Sequence, residues 1–147
     1  MFPLHGKIVP EEQRKAFLPC KQHKFIFASR VAETAITIDD VRVVIDPGED
    51  ITLIYDQRYK FSSMKIRPIS QSSAKQRAGR AGRTAPGHCF RLYSEESFYA
   101  RPLGKVPEME NSSLDTVVLR LKSLGIDDVV EFSYISKPDK EGLLASI

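Results

Sequence analysis

An α/β fold built on a mainly parallel sheet is what this sequence predicts, and three features carry the prediction. Short apolar runs of strand length and strand composition recur at Lys24–Ala28, Val41–Asp46 and Cys89–Tyr93. Segments with helical start signals alternate with them, at Pro10–Phe17 and again after Ser70. Strands that alternate with helices are joined by crossovers, and crossovers place the strands parallel.

Taken in order, Pro10-Glu11-Glu12 opens the first helix, because proline suits the first helical position and acidic residues favour the helix N-terminus. Lys24 to Ala28 reads as a buried strand. Val41 to Asp46 reads as another, stopped by Pro47-Gly48, with a loop or short helix between the two. Ile51–Tyr55 and Met64–Ile69 flank a polar turn and pair as a hairpin with Gln57-Arg58-Tyr59-Lys60 at its tip. Ser70-Gln71-Ser72-Ser73 offers N-cap residues for a helix over Ala74–Arg80, and Gly87 precedes the strand Cys89–Tyr93. The Pro- and Gly-rich stretch Arg101–Pro107 reads as a linker. Beyond it, Leu114, Val117, Val118, Leu121 and Leu124 recur at helical spacing, with Gly125 as a C-cap candidate, and a last short helix starts at Lys140.

The 147 residues are enough for one ordinary domain with an appendage. A hydrophobic share of 41% and a charged share of 28% are those of a chain that folds. The net charge of +3 is compatible with a polyanionic partner but too small to establish one. Cys20 and Cys89 stand alone, so neither a disulfide framework nor a zinc site is encoded, and no metal ligands are assigned. No apolar run approaches the roughly 18 residues of a membrane span, and Met1-Phe2-Pro3-Leu4-His5 lacks the regions of a signal peptide. An intracellular setting without membrane attachment, nucleus or cytoplasm, is the expectation.

The most specific feature is Gln76-Arg77-Ala78-Gly79-Arg80-Ala81-Gly82-Arg83, where two arginines follow two glycines at an interval of three. On a helix, such arginines share one face, and glycines let a backbone or a phosphate approach closely. Planar guanidinium groups grip phosphate oxygens bidentately and stabilise charge that develops during phosphoryl transfer. The competing reading is a solvated basic helix. Glu33 and Asp46 are a conceivable carboxylate pair for hydrolysis, but nothing in the sequence sets their separation. His5, His23 and His88 lie far apart without a partner nucleophile at a diagnostic spacing.

This arginine segment resembles motif VI of superfamily 2 helicases, and its extension through Thr84–Tyr93 resembles the DEAH/RHA subfamily. Val31–Asp39 is similar to motif V, Val44–Gly48 to the strand and turn that follow it, and Pro10–Pro19 to the helix before it. Val106–Leu124 resembles the entry to a winged-helix domain. The resemblance therefore covers nearly the whole chain. It implies a partial second RecA-like lobe (P-loop NTPase-type, mainly parallel sheet with flanking helices) over residues 1–100, a linker at 101–107, and the small helical start of a winged-helix domain at 108–147.

The resemblance also implies roles. ATP binds between two RecA-like lobes, with Arg83 as arginine finger, Arg80 on the same phosphates and Gln76 orienting the attacking water or the γ-phosphate, while Arg77 points elsewhere. Phe17 matches the aromatic that stacks on adenine, although an aromatic in an amphipathic helix can equally be core. Asp39 matches an acid near the ribose, although it can equally be a cap or turn residue. Ser29, Arg30 and Thr34 match RNA-contact positions, and Arg58, Tyr59 and Lys60 sit at the tip of a hairpin that in the family wedges against bases, although they can equally be a solvated tip. Two departures stand out: relatives usually carry Thr-Asn where this chain has Ser29-Arg30, and Ala35 replaces a usual Ser.

No phosphate-binding G-x-x-x-x-G-K-[ST] loop and no Asp-Glu-x-His segment occur in the sequence. The expectation is a chain truncated at both ends relative to the family. As part of an ATP-dependent RNA helicase it would serve translocation, unwinding or ribonucleoprotein remodelling, and it would be inactive alone, with Mg2+ held by the missing first lobe. The implied partners are RNA, with DNA as the alternative, the first RecA-like lobe, and an activator protein. The competing function is a non-catalytic module that binds RNA or a helicase partner.

Overall fold

The computed structural model describes residues 1–33, 36–56, 59–107, 109 and 113–147. Two compact units emerge, one comprising Met1–Asp50 with Arg67–Lys105 and the other Ile51–Ile66 with Val106–Ile147.

In the first unit, β1 (Phe2–Leu4) pairs in parallel with β2 (Ile26–Ala28), Phe2 opposite Ile26 and Leu4 opposite Ala28. Helix α1 (Pro10–Lys15) makes the crossover between them. It carries Pro10 at its first turn with Glu11 and Glu12 behind it, as the sequence predicts, and Ala16 just past its end is fully buried. A 3-10 turn at Arg30–Glu33 follows β2. Strand β3 (Val43–Asp46) pairs in parallel with β6 (His88–Arg91), Val43 opposite His88 and Asp46 opposite Arg91. Both parallel pairs agree with the predicted fold class. One expectation fails: Phe25 and Phe27, read as part of a buried strand, are exposed, as are Val43, Ile45 and Phe90. A parallel strand needs cover on both faces to bury its apolar residues, and among the described residues one face has none.

Helix α2 (Gln71–Ala78) lies between these strands in sequence. Its first-turn N–H groups are each provided for: Ser70 Oγ accepts from Ser73 N, and the carbonyls of Pro102 and Leu103 accept from Gln71 N and Ser72 N at 2.9 and 3.0 Å. The helix starts three residues earlier than the expected Ala74 and ends two earlier than Arg80. It stops because Gly79 and Gly82 are poor helix formers, and the chain tightens into i to i+3 turns, Arg80 N to Arg77 O and Ala81 N to Ala78 O. Helix α3 (Glu95–Tyr99), not anticipated, is capped by Ser94 and supplies Phe98 to a small core with Ile69 and Ala74, against which Tyr93 packs.

Arg101, at the start of the proline-rich stretch, is buried. Its Nη1 donates to the carbonyls of Gly48 at 2.6 Å and Ile69 at 3.3 Å, and its guanidinium lies 3.9 Å from the Tyr93 ring centroid. Gly48 holds φ +76°, and a side chain there would run into Tyr93 and Arg101, so this turn accepts only glycine.

Strands β4 (Glu49–Asp56) and β5 (Phe61–Pro68) form a two-stranded sheet, and so short a connection permits only an antiparallel hairpin. The second unit's core joins Leu114, Val118 and Leu121 of α4 (Asp115–Ser123 with its Leu114 cap) to Val129 and to Leu143 of α5 (Lys140–Leu144). Helix α4 ends as its sequence predicts. Gly125 adopts φ +80°, Ile126 N donates to Leu121 O at 3.1 Å and Gly125 N to Lys122 O at 3.0 Å, the double closure that satisfies the last carbonyls.

Candidate functional site

The arginine segment divides into one inward guanidinium and two outward ones. Arg77, on α2, donates through Nε to Glu33 at 2.8 Å, and through Nη1 to Asp46 at 2.9 Å and to the Glu49 carbonyl at 3.1 Å. Glu33 also accepts from Lys105 at 2.8 Å, and Asp46 from Tyr93 Oη and from Gly48 N, both at 3.0 Å. Both carboxylates are nearly inaccessible, with side-chain exposures of 3% for Glu33 and 0% for Asp46. Burial alone would push the Glu33 carboxyl up, but the hydrogen bonds and charges of Lys105 and Arg77 outweigh it and hold Glu33 below the usual range. Burial would likewise lower Arg77, and its bonds to Glu33 and Asp46 outweigh that, so it titrates above an ordinary arginine. Two cations thus meet two carboxylates. The conceivable hydrolytic pair, Glu33 and Asp46, is committed to bridging Arg77 and is not available as acid and base.

Arg80 and Arg83 lie beyond the end of α2 and do not share a helical face, contrary to the sequence expectation. Arg80 Nη1 donates to the Ile36 carbonyl at 2.8 Å, and Arg83 Nη1 to the Thr37 hydroxyl at 3.2 Å. Among the described residues, neither forms an ion pair. Partial burial lowers Arg80, and repulsion from Arg83 adds to it, with Glu33 partly offsetting both. Two guanidinium groups close enough to repel each other, without a carboxylate bridging them, make a place where an anion is favoured. Gln76 is exposed on the same helix, its carbonyl 3.4 Å from Arg80 Nε.

Thr84 ties this segment to the Asp39 turn. Its hydroxyl donates to the Asp39 carbonyl, while Arg42 Nη1 donates to Thr84 Oγ1 at 3.0 Å and to the Asp39 carbonyl at 3.3 Å. Asp39 itself is exposed, and its carboxylate has no partner among the described residues. On the far side of this turn, Asp40 pairs with Lys24 at 2.7 Å. Lys24 also donates to the carbonyls of Ala16 at 3.0 Å and Leu18 at 3.1 Å, the residues on either side of Phe17. Phe17 falls in the turn after α1 rather than within it, and the residue is 41% exposed, not core. Phe17, Asp39 and Arg83 therefore belong to one connected network.

Ser29 and Arg30 are both exposed where β2 passes into the 3-10 turn. The Ser29 backbone N–H donates to the Leu4 carbonyl at 3.0 Å, and Arg30 Nη1 lies 3.6 Å from Asp50. Thr34, Ala35 and Arg58 lie outside the described residues. Lys60 is exposed in the other unit, at φ +48°, next to an exposed Tyr59. Sequence reasoning missed Lys24, Thr37, Arg42 and Asp40. Their partners lie 3 to 46 residues away, and nothing in local pattern marks a lysine beside a strand as an anchor.

Among the described residues no helix is long and apolar enough to cross a membrane, and no three His, Cys, Asp or Glu side chains gather as a metal site would require. Residues 1–85 match the family model described as helicase conserved C-terminal domain, more than half of the chain. Curated relatives include an ATP-dependent RNA helicase HrpA homolog of Haemophilus influenzae, 41% identical over 95% of this chain, and the ATP-dependent RNA helicase DEAH12, chloroplastic, of Arabidopsis thaliana, 42% identical over 99%. The chain spans 11% and 8% of their respective lengths. Among solved structures, the Escherichia coli DExH-box NTPase HrpB superposes with a TM-score of 0.89 at 34% identity, over 98% of this chain and 18% of that one. A second structure, described as the E. coli DEAH/RHA helicase HrpB, gives the same TM-score at 32% identity, over 98% of this chain and 19% of that one. With its parallel α/β pairs, its outward arginines and these likenesses, the chain belongs to the helicase conserved C-terminal domain family, within the DEAH/RHA helicases, and has their RecA-like fold.

Proposed function

We propose that this chain supplies the arginine half of an ATP site, together with RNA contacts, in an ATP-dependent RNA helicase. The observation that carries the reading is the division among the three arginines: Arg77 is neutralised by Glu33 and Asp46, while the half-buried Arg80 and the exposed Arg83 have no carboxylate partner among the described residues. Phosphoryl transfer asks little covalent chemistry of a protein. It asks for positive charge placed where the γ-phosphate oxygens become more negative. Arg83 is the finger, Arg80 holds the same phosphates, and Gln76 orients the water that attacks the γ-phosphorus as ADP leaves. Exposed Phe17 stacks on the adenine and the exposed Asp39 carboxylate accepts from the ribose. Mg2+ would be held by the first RecA-like lobe, not by residues of this chain, and would supply positive charge beside the phosphates.

For RNA, the exposed Ser29 and Arg30 offer a hydroxyl and a cation to backbone phosphates, and Lys60 beside Tyr59 offers charge next to a stacking surface. Thr34, by its place in the motif V-like segment, and Arg58, by its place at the expected hairpin tip, complete the contact set. Residues 1–100 act as the lobe, 101–107 as linker and 108–147 as the opening of a winged-helix domain, in an intracellular protein that an activator also engages.

The test is RNA-stimulated ATP hydrolysis by the purified chain, alone and mixed with a separately expressed first lobe from a DEAH-type relative. The expected result is background turnover alone and stimulated turnover in the mixture. Arg83→Ala should then lower the mixture's rate by about a thousandfold or more, the scale of an arginine finger. Turnover by the chain alone that Arg83→Ala abolishes would overturn the half-site reading. A folded chain that binds RNA but stays silent in both settings would favour a non-catalytic module instead.

A further inference from the structure

We propose that Lys24 is a positioning residue for nucleotide-base recognition, holding the Phe17 turn against the Asp39–Asp40 turn so that the aromatic ring and the acid present themselves together. The inference rests on the reading of Phe17 as the base-stacking residue. Lys24 has a side chain only 7% exposed, unusual for a lysine. An ammonium has three N–H groups, and three oxygens receive them: Ala16 O at 3.0 Å, Leu18 O at 3.1 Å and Asp40 Oδ1 at 2.7 Å. Two of these are backbone carbonyls that flank Phe17, that of Ala16 at the C-cap of α1, where a cation is favoured, and that of Leu18 in the turn beyond it. The third belongs to the residue after Asp39.

The other side of that turn is held independently, by Thr84 and Arg42 on the Asp39 carbonyl, and Thr84 follows Arg83 directly. Among the described residues, Lys24 is thus the side chain that ties the Phe17 turn to the Asp39–Asp40 turn, which Thr84 and Arg42 in turn join to the arginine segment. It touches neither base nor phosphate in this scheme. Its loss should leave the arginines where they are and release the aromatic, weakening adenine binding while sparing the phosphates. A merely structural lysine would weaken both alike or neither.

The experiment compares the affinities of ATP and inorganic tripolyphosphate for the full chain, followed through the backbone amide signals of residues 17, 39 and 83. The wild-type chain should prefer ATP, with Phe17→Ala erasing the preference. Lys24→Met should reduce the ratio of ATP to tripolyphosphate affinity about tenfold, within the range that stacking on one aromatic contributes, and leave tripolyphosphate affinity within about twofold. Lys24→Arg, which keeps the cation, should restore most of the ratio. Asp40→Asn, which leaves both carbonyl bonds in place, should lower it by about twofold to threefold and stands in if Lys24→Met does not fold. An unchanged ratio in Lys24→Met, or in Asp40→Asn where that variant stands in, would overturn the inference while leaving the Phe17 reading intact. No ATP preference in the wild type, or one that survives Phe17→Ala, would remove the Phe17 reading and this inference with it.

Discussion

Replacing Arg77 by Met keeps the length of the side chain on α2 and removes the one guanidinium that joins Glu33 to Asp46. Removing one partner from a buried ion pair costs about 3–5 kcal/mol, because the charge left behind has lost its compensation. Here the remaining carboxylates keep some partners: Lys105 still faces Glu33, while Tyr93 and the Gly48 N–H still face Asp46. The expected loss is therefore near the lower end, about 3 kcal/mol, out of the roughly 5–15 kcal/mol that stabilises an ordinary fold. At about 2–4 °C per kcal/mol for a chain of this size, the midpoint should fall by roughly 6–12 °C. Urea and thermal unfolding read it directly, with tyrosine near-ultraviolet circular dichroism reporting on Tyr93. The pH profile gives a second reading. The folded Glu33 carboxyl sits below its unfolded value of 4.5, so its contribution is fully present above that pH and is lost as pH falls through the lower folded value. Arg77→Met should flatten this acid limb. A loss under about 1 kcal/mol with an unchanged acid limb would refute the account of Arg77 as the keystone of a buried network.

Other outcomes follow from backbone geometry. Gly48→Ala should destabilise the first unit by at least about 2 kcal/mol in urea unfolding, since it combines strain at a left-handed φ with a collision against Tyr93 and Arg101. Gly125→Ala should cost less, about 1 kcal/mol, because its φ of +80° meets open space, and the loss should appear in amide exchange at the end of α4 rather than in the first unit.

Much of the local architecture is legible from sequence. Pro10 with Glu11 and Glu12 starts α1, Ser70 caps α2, and the apolar spacing from Leu114 to Leu121 with Gly125 writes α4 and its ending, because each depends on residues within a turn of one another. Ser94 before Glu95 and Glu96 is the same kind of signal, and it starts α3. Strand β1 had no such signal: three residues with a proline among them become a strand only through pairing with β2.

The arginine motif shows where sequence stops. The resemblance of Gln76–Tyr93 to motif VI, together with that of Val31–Asp39 to motif V and of the segments around them, was enough to identify the helicase family. It did not say which arginine faces which way. Placing Arg80 and Arg83 on one helical face assumed a helix that Gly79 ends first, and only tertiary contacts make Arg77 internal, by bringing Glu33 and Asp46 from 44 and 31 residues away. Lys24 is the same case: it reads as a polar residue at a strand edge until α1 and the Asp39–Asp40 turn converge on its ammonium. Propensity, capping and motif chemistry act over a few residues, so the sequence by itself determined most of the elements and the family its motifs resemble. Compensation of buried charge acts between distant segments, and it needed the folded chain to decide which side chains build the frame and which remain for phosphate.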